Sequence, residues 1–412
     1  MQLRSKRAID YYVGRPLLTF LELAARVLAL VLHRNHEREP VRSILLVKFQ
    51  GIGSLVICKP ALTALRKHYP HARIIFWGTP SVAALAVHMP EVDEVLVLDD
   101  RSLSSATRTT VAALLRLWRA RIDWAFDLEV YSRLSSALVT MTMARNRTGF
   151  ALEQLRARRV HTHLIYFNRY HHVGDAYSRI VGQVLPRDVA IDASDYGSWR
   201  FALGPLPHLP RPYILVNIHA GDLSLERRWP LASFDRLIRE LLDRRPDMHV
   251  ILIGHGPAEI AYTKRLPPAA RVLDLSGQLS LVETYRAIAN ADLVITNDSA
   301  PLHFAISTHA RVVALFGPTR AATYLPPGHP HVLGTHVPLY CSPCVHHWEP
   351  APCGGDNQCM KRLTVQQVFA LCGQLLGDPS WSAIPLQEAA SEPGSDYYPG
   401  LVYKRPGVPH AS

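Results

Sequence analysis

The chain has 412 residues, 48% hydrophobic and 19% charged, which excludes a disordered chain and leaves room for two domains with buried cores. Its net charge of +11 draws polyanions: phosphorylated small molecules, anionic membrane or nucleic acid. No basic run is interleaved with aromatics, so no nucleic-acid partner is expected. The opening MQLRSKRAIDYYVG lacks a cleavable leader pattern, and the six cysteines of a cytoplasmic chain are expected to stay reduced.

Residues 1–40 form the first unit. RPLLTFLELAARVLALVLHR, Arg15 to Arg34, is apolar and rich in helix formers. Arg15, Glu22, Arg26 and His33 lie at offsets of 7, 11 and 18, which at about 100° per residue share one narrow stripe. A spanning helix would put Glu22 and Arg26 in hydrocarbon. An amphipathic helix lying on the membrane surface keeps them in water, and Arg4, Lys6 and Arg7 add attraction to anionic lipid. The competing reading packs this helix on the protein's own core, with the stripe outward.

From Val41 onward strand and helix patterns alternate. SILLVKF, ARIIFWG, EVLVLDD and WAFDLEV read as buried strands, each followed by a helical pattern. LGPLPHLPRP, with four prolines, marks a linker, after which YILVNIHAG, HVILIGHGP, LVITNDSA and VVALFGPT restart the alternation. The expected fold class is α/β, with two Rossmann-like domains, 41–203 and 204–385, facing a ligand cleft. The tail 386–412, rich in Pro, Gly and Ser, reads as disordered.

Chemistry is expected where strands hand over to helices. After SILLVKF comes the small loop Gly51-Ile52-Gly53-Ser54, suited to close backbone approach to an acceptor or phosphate. In LVITNDSAPLHF, free amides of Ser299 and Ala300 at a helix N-terminus are placed to hold a diphosphate, with His303 on the first turn. An ordinary N-cap by Asp298 or Ser299, and a structural histidine, are the plain alternatives. ERRWP supplies Arg227 and Arg228, and a guanidinium binds phosphate in bidentate fashion. LIGHGPAE adds Gly254 at a third strand end, without a dinucleotide fingerprint. Cys341, Cys344, Cys353 and Cys359 have the spacing C-x2-C-x8-C-x5-C. It leaves open a zinc site, a metal-free clasp or two disulfides, with zinc the less favoured because the last pair lacks a short knuckle.

These stretches together, ILLVKFQGIGSLVICKPALTALRKHYP, RRWPLASF, LSGQLSLVETYRAIANADLVITNDSAPLHFA, VVALFGPT and the cysteine segment ending CMKRLTVQQV, resemble glycosyltransferase family 9, the heptosyltransferases of lipopolysaccharide core synthesis. The resemblance covers about residues 43 to 370. It implies a GT-B fold and metal-independent inverting transfer from a nucleotide-diphosphate sugar, ADP-heptose in characterised members, to a glycolipid acceptor. It implies work at the cytoplasmic face of the inner membrane, with no cofactor. By position it implies that Asp298 holds sugar hydroxyls, Ser299 and Ala300 bind diphosphate, and Arg227 is the basic residue before the tryptophan.

Two positions depart from the family. Ala300 stands where glycine is common, and being small it keeps the backbone approachable. Ser54 stands where the family reads S-I-G-D, with the aspartate the proposed general base. A serine hydroxyl cannot take that role unaided at neutral pH. Asp127 and Glu129, in FDLEVYS at a strand's carboxyl end, are the substitute candidates. A catalytically weakened binding or scaffold protein of the same fold is the alternative function.

Overall fold

The computed structural model describes residues 9–32, 36, 39–152, 160–221, 224–326, 329–345, 351–378 and 380–381. The tail 386–412, His33, and the side chains of Arg15 and Arg26 lie outside the described residues.

Two six-stranded sheets, parallel throughout, carry the fold. The first holds Ser43–Lys48 (β1), Arg73–Gly78 (β2), Glu94–Val97 (β3), Trp124–Asp127 (β4), Asn146–Ala151 (β5) and His163–Tyr166 (β6). The second holds Tyr213–Asn217 (β7), His249–Leu252 (β8), Val272–Asp274 (β9), Leu293–Asn297 (β10), Val312–Phe316 (β11) and Val332–His336 (β12). Their orders are β3-β2-β1-β4-β5-β6 and β12-β11-β10-β7-β8-β9. Each sheet therefore reverses strand order once, between β1 and β4 and between β7 and β10. Such switch points open a crevice at the carboxyl ends of the strands, where α/β sheets bind ligands.

The central strands are continuous apolar runs because helices cover both faces of a parallel sheet. Ile44 to Val47, Ile214 to Val216 and Val312 to Phe316 are all buried. The helix Ile52–His68 is apolar nearly all round, with Leu55, Val56, Ile57, Cys58, Ala61 and Leu62 buried. It needs that composition because it shares a core with Ile44 and Leu46 of the first sheet and packs on the helices Val173–Val181 and, from the second domain, Ala300–Ser307. One core cluster accordingly runs through both domains, joining Leu55 and Leu62 to Leu302 and Phe304.

The segment between the helix Val173–Val181 and β7 has no regular element. It is docked rather than loose. Trp199 and Phe201 pack on Tyr285 with ring centroids 4.9 and 5.5 Å apart, and Arg286 and Asn290 donate to the carbonyls of Gly204, Pro205 and Leu203.

At the N-terminus a π-helical turn, Asp10–Gly14, leads into a helix spanning Arg15–Leu32. Asp10 fastens this unit to the helix Arg133–Met141: its Oδ1 accepts from the Ser132 hydroxyl at 2.9 Å and the Leu134 N–H at 2.8 Å. Gly14 passes so close that a Cβ there would lie 3.1 Å from the Leu134 nitrogen. Away from this contact, Phe20, Leu23 and Val27 are 67%, 63% and 54% exposed. No helix among the described residues is long and apolar enough to cross a membrane.

Candidate functional site

In the first domain, the chain leaves β1 at Lys48 and reaches Gly51, whose φ of +79° suits a residue without a Cβ. The helix begins at Ile52, so Gly51–Ser54 is not the free loop expected from sequence; Ser54 sits in the first helical turn. The approach to this helix is braced by Glu129. Its Oε1 accepts the N–H groups of Phe49 and Gln50, both at 2.7 Å. The Lys48 ammonium lies 3.9 Å from the same oxygen and donates to the Leu128 carbonyl at 3.3 Å. Burial alone would depress the Lys48 pKa, but Glu129 and Tyr177 more than offset it and keep the ammonium charged.

The two acidic residues singled out in FDLEVYS take different places. Asp127 is fully buried, accepting the Ser136 hydroxyl at 2.6 Å, with His161 Nε2 at 3.5 Å. It is neither a surface ion pair nor open to the cleft. Glu129 is also buried, yet only its Oε1 is engaged in hydrogen bonds among the described residues.

In the second domain, β10 ends at Asn297 and the chain passes through Asp298 and Ser299 into the helix Ala300–Ser307. Ser299 occupies the N-cap position without capping. Its hydroxyl instead accepts from Asn217 Nδ2 at 2.9 Å and donates to the Asn297 carbonyl at 3.2 Å. The amides of Ser299 and Ala300 consequently have no acceptor among the described residues.

Arg227 is buried, not a solvated basic turn. It donates to the Asp298 carbonyl at 2.5 Å and to the Ala220 carbonyl, and lies 3.6 Å from the Asp298 carboxylate. Trp229 pins this turn: its backbone N–H donates to Asn297 Oδ1 at 3.1 Å and its indole N–H to the Leu363 carbonyl at 2.8 Å. Arg228, the second arginine of the expected phosphate-binding pair, takes a different place. Its guanidinium lies 4.5 Å from the Tyr262 ring centroid, and its Nε–H has no hydrogen-bond partner among the described residues. Gly254 plays a packing part, since a Cβ there would fall 2.7 Å from His219 Nε2 and 3.1 Å from Ser276 Oγ.

The cysteine segment closes behind this turn. Cys341, Cys344, Cys353 and Cys359 are reduced and line a cavity of about 10 Å³ beside Glu226 and Asn357. Burial pushes the Cys344 thiol up to about 11 and the Cys359 thiol up to about 12. The four sulfurs are not all within 4.8 Å of one another. Asn357 donates to the carbonyls of Glu226 and Arg228, both at 2.9 Å, so the segment holds both ends of the arginine turn.

The two switch points meet at Gly53. A Cβ there would lie 2.6 Å from His303 Cδ2 and 3.3 Å from the Ala300 Cα, so only glycine permits the approach. The N-termini of the helices Ile52–His68 and Ala300–Ser307 are thereby side by side, and each offers unpaired amides and a positive dipole end. Arg227 lies beside Asp298 at the start of the second helix, and Tyr324 faces His303 with ring centroids 6.2 Å apart. The arrangement suits a multiply charged anion.

Burial keeps two histidines of this region neutral. Burial lowers His303 to about 4, with His172 and Arg227 adding to the effect and Asp298 opposing it. Burial and Arg228 likewise lower His219 to about 4. Both start near 6.5 when unfolded. The unfolded chain therefore takes up protons first, and stability, full above about pH 6.5, falls as pH drops toward 4 at up to about 1.4 kcal/mol per unit for each group. Urea midpoints should drop between pH 7 and pH 5, and His303→Gln should flatten part of that slope. Identical midpoints for the wild type at both pH values would show that folding does not lower the pKa of these imidazoles.

Residues 114–353 match the model of glycosyltransferase family 9 (heptosyltransferase). The chain is 22% identical over 323 residues to lipooligosaccharide heptosyltransferase 2 of Campylobacter jejuni, covering 77% of this chain and 94% of that one. The structure of E. coli ADP-heptose lps heptosyltransferase II aligns with a TM-score of 0.61 at 19% identity, over 81% of this chain and 98% of that one. E. coli heptosyltransferase WaaC with ADP aligns with a TM-score of 0.59 at 18% identity, over 83% and 100%. The paired sheets are a GT-B fold. With more than half its length matched, the chain belongs to glycosyltransferase family 9, the heptosyltransferase family.

Proposed function

We propose that this protein is an inverting glycosyltransferase that moves a heptose-like sugar from a nucleotide-diphosphate donor to a lipopolysaccharide-core or related glycolipid acceptor. ADP-heptose is the first donor to test, because the similar E. coli structures are named for it or hold ADP. The observation that carries the reading is the junction at Gly53, where two helix N-termini and the free amides of Ser299 and Ala300 meet, with Arg227 beside Asp298. As the acceptor oxygen bonds to the anomeric carbon, the bond from that carbon to the diphosphate breaks. The nucleoside diphosphate leaves with the electron pair, into a site that stabilises its charge without a catalytic metal. Asp298, fixed by Arg227, is the group for sugar hydroxyls.

The acceptor hydroxyl must lose a proton, and Ser54 cannot take it. Glu129 is the better of the two substitute bases, since Asp127 is fully buried against Ser136 and His161. Glu129→Gln keeps an oxygen to accept from Phe49 and Gln50 but removes the basic site. It should cut kcat at least about 100-fold with little change in donor KM, whereas Ser54→Ala should keep most of the activity. Nucleotide release in the presence of acceptor checks this. Harmless Glu129→Gln together with inactive Ser54→Ala would overturn the assignment. Ser54 also favours a second reading, a weakened donor-binding protein, for which donor would bind without acceptor-dependent release.

The acceptor's lipid calls for a membrane surface, and we place the protein on the cytoplasmic face of the inner membrane. Phe20, Leu23 and Val27, exposed at spacings of 3 and 4 on the helix Arg15–Leu32, support this, with exposed Tyr11 and Tyr12 beside them. Phe20→Asp with Leu23→Asp should release the protein from anionic vesicles in a sedimentation assay while it stays folded. Equal pelleting of variant and wild type would remove the surface-anchor reading.

A further inference from the structure

Far from the Gly53 junction, three imidazoles converge. His309 follows the helix Ala300–Ser307, while His329 and His331 precede β12. β11 and β12 pair with Val312 opposite Val332, and the Val312 N–H donates to the His331 carbonyl at 2.9 Å. This register sets the two stretches side by side. One ring nitrogen from each of the three histidines lies within 4.8 Å of the other two, the only such group of His, Cys, Asp or Glu donors among the described residues. The His309 and His329 rings are 5.7 and 5.4 Å from that of His331, centroid to centroid.

Two details set this cluster apart from chance crowding. The Nε2 of His331 is buried with no hydrogen-bond partner among the described residues. His309 adopts a left-handed φ of +58°, at a helix exit where glycine is the ordinary choice. A bulky ring is thus kept in a conformation that disfavours it, and aimed at two others. Burial and the neighbouring imidazoles also hold His329 and His331 below the usual range, which leaves them neutral and able to donate a lone pair.

We propose that His309, His329 and His331 bind a borderline divalent transition-metal ion of the zinc class, with the fourth position left to water. Tetrahedral coordination sets imidazole nitrogens about 3.3 Å apart, so modest rotation of partly exposed rings completes the set. His309 lies nine residues beyond Ala300, more than about 10 Å along the helix at 1.5 Å per residue, so the ion stands apart from sugar transfer. It would clip the exit of the cradle helix to the start of β12.

Metal-stripped full-length protein titrated with Zn²⁺, and with Co²⁺ as a visible probe, tests the site. One Co²⁺ should bind with nitrogen-and-oxygen d–d bands, and Zn²⁺ should raise the thermal midpoint. His309→Gly removes a ligand and relieves the left-handed backbone. Its metal-free form should be at least as stable as the wild type, while its metal affinity falls more than about tenfold. His329→Ala should show the same loss. The proposal is overturned if the wild type binds neither ion, if His309→Gly binds as tightly as wild type, or if bound cobalt shows only thiolate charge-transfer bands, which would place it at the cysteines.

Discussion

The structure depends on one close approach. Gly53, in the first turn of a helix from one sheet, lies against Ala300 and His303, in the first turn of a helix from the other. Two like-signed dipole ends in one place repel each other, and the separation is kept small by the shared core that runs from Leu55 and Leu62 to Leu302 and Phe304. Apolar burial thus holds together what electrostatics alone would push apart. An anionic ligand removes that conflict, and this is the physical reason to expect a diphosphate at the junction.

Buried charges around the junction serve mainly to fix the backbone. Glu129 sets the entry to the helix Ile52–His68 by accepting two amides. Arg227 does the same for Asp298 and Ala220, while Trp229 and Asn357 hold the turn that carries both arginines. Groups bonded in this way do not reorganise when a ligand arrives, which suits a site stabilising charge on a leaving group. Lys59 shows the same economy away from the cleft: fully buried, it pairs with Glu91 at 2.7 Å and lies 4.8 Å from the Trp199 ring centroid. Removing one partner from such a pair leaves an uncompensated charge in the core.

The alternation of elements was legible because parallel strands covered on both faces must be apolar runs, as in ILLV, YILV and VVALF. The helix start at Ala300 was legible too, since a strand end followed by Asp, Ser and Pro signals one. Contacts between distant stretches were not. Nothing local to Gly53 announces His303, and nothing in FDLEVYS tells that Glu129 holds the backbone 80 and 79 residues earlier while Asp127 turns to Ser136. Pattern also misplaced the helix start, because the glycines of Gly51-Ile52-Gly53 suggested a loop where only Gly51 lies outside the helix. His309, His329 and His331 escaped notice since only the β11–β12 register brings them together.

The most direct measurement is the affinity of Gly53→Ala for ADP by calorimetric titration, with circular dichroism to confirm that the chain stays folded. The added methyl must push His303 and Ala300 away, so affinity should fall at least about tenfold, or about 1.4 kcal/mol. A folded Gly53→Ala protein that binds ADP as tightly as the wild type would contradict a diphosphate site at the meeting of the two helices.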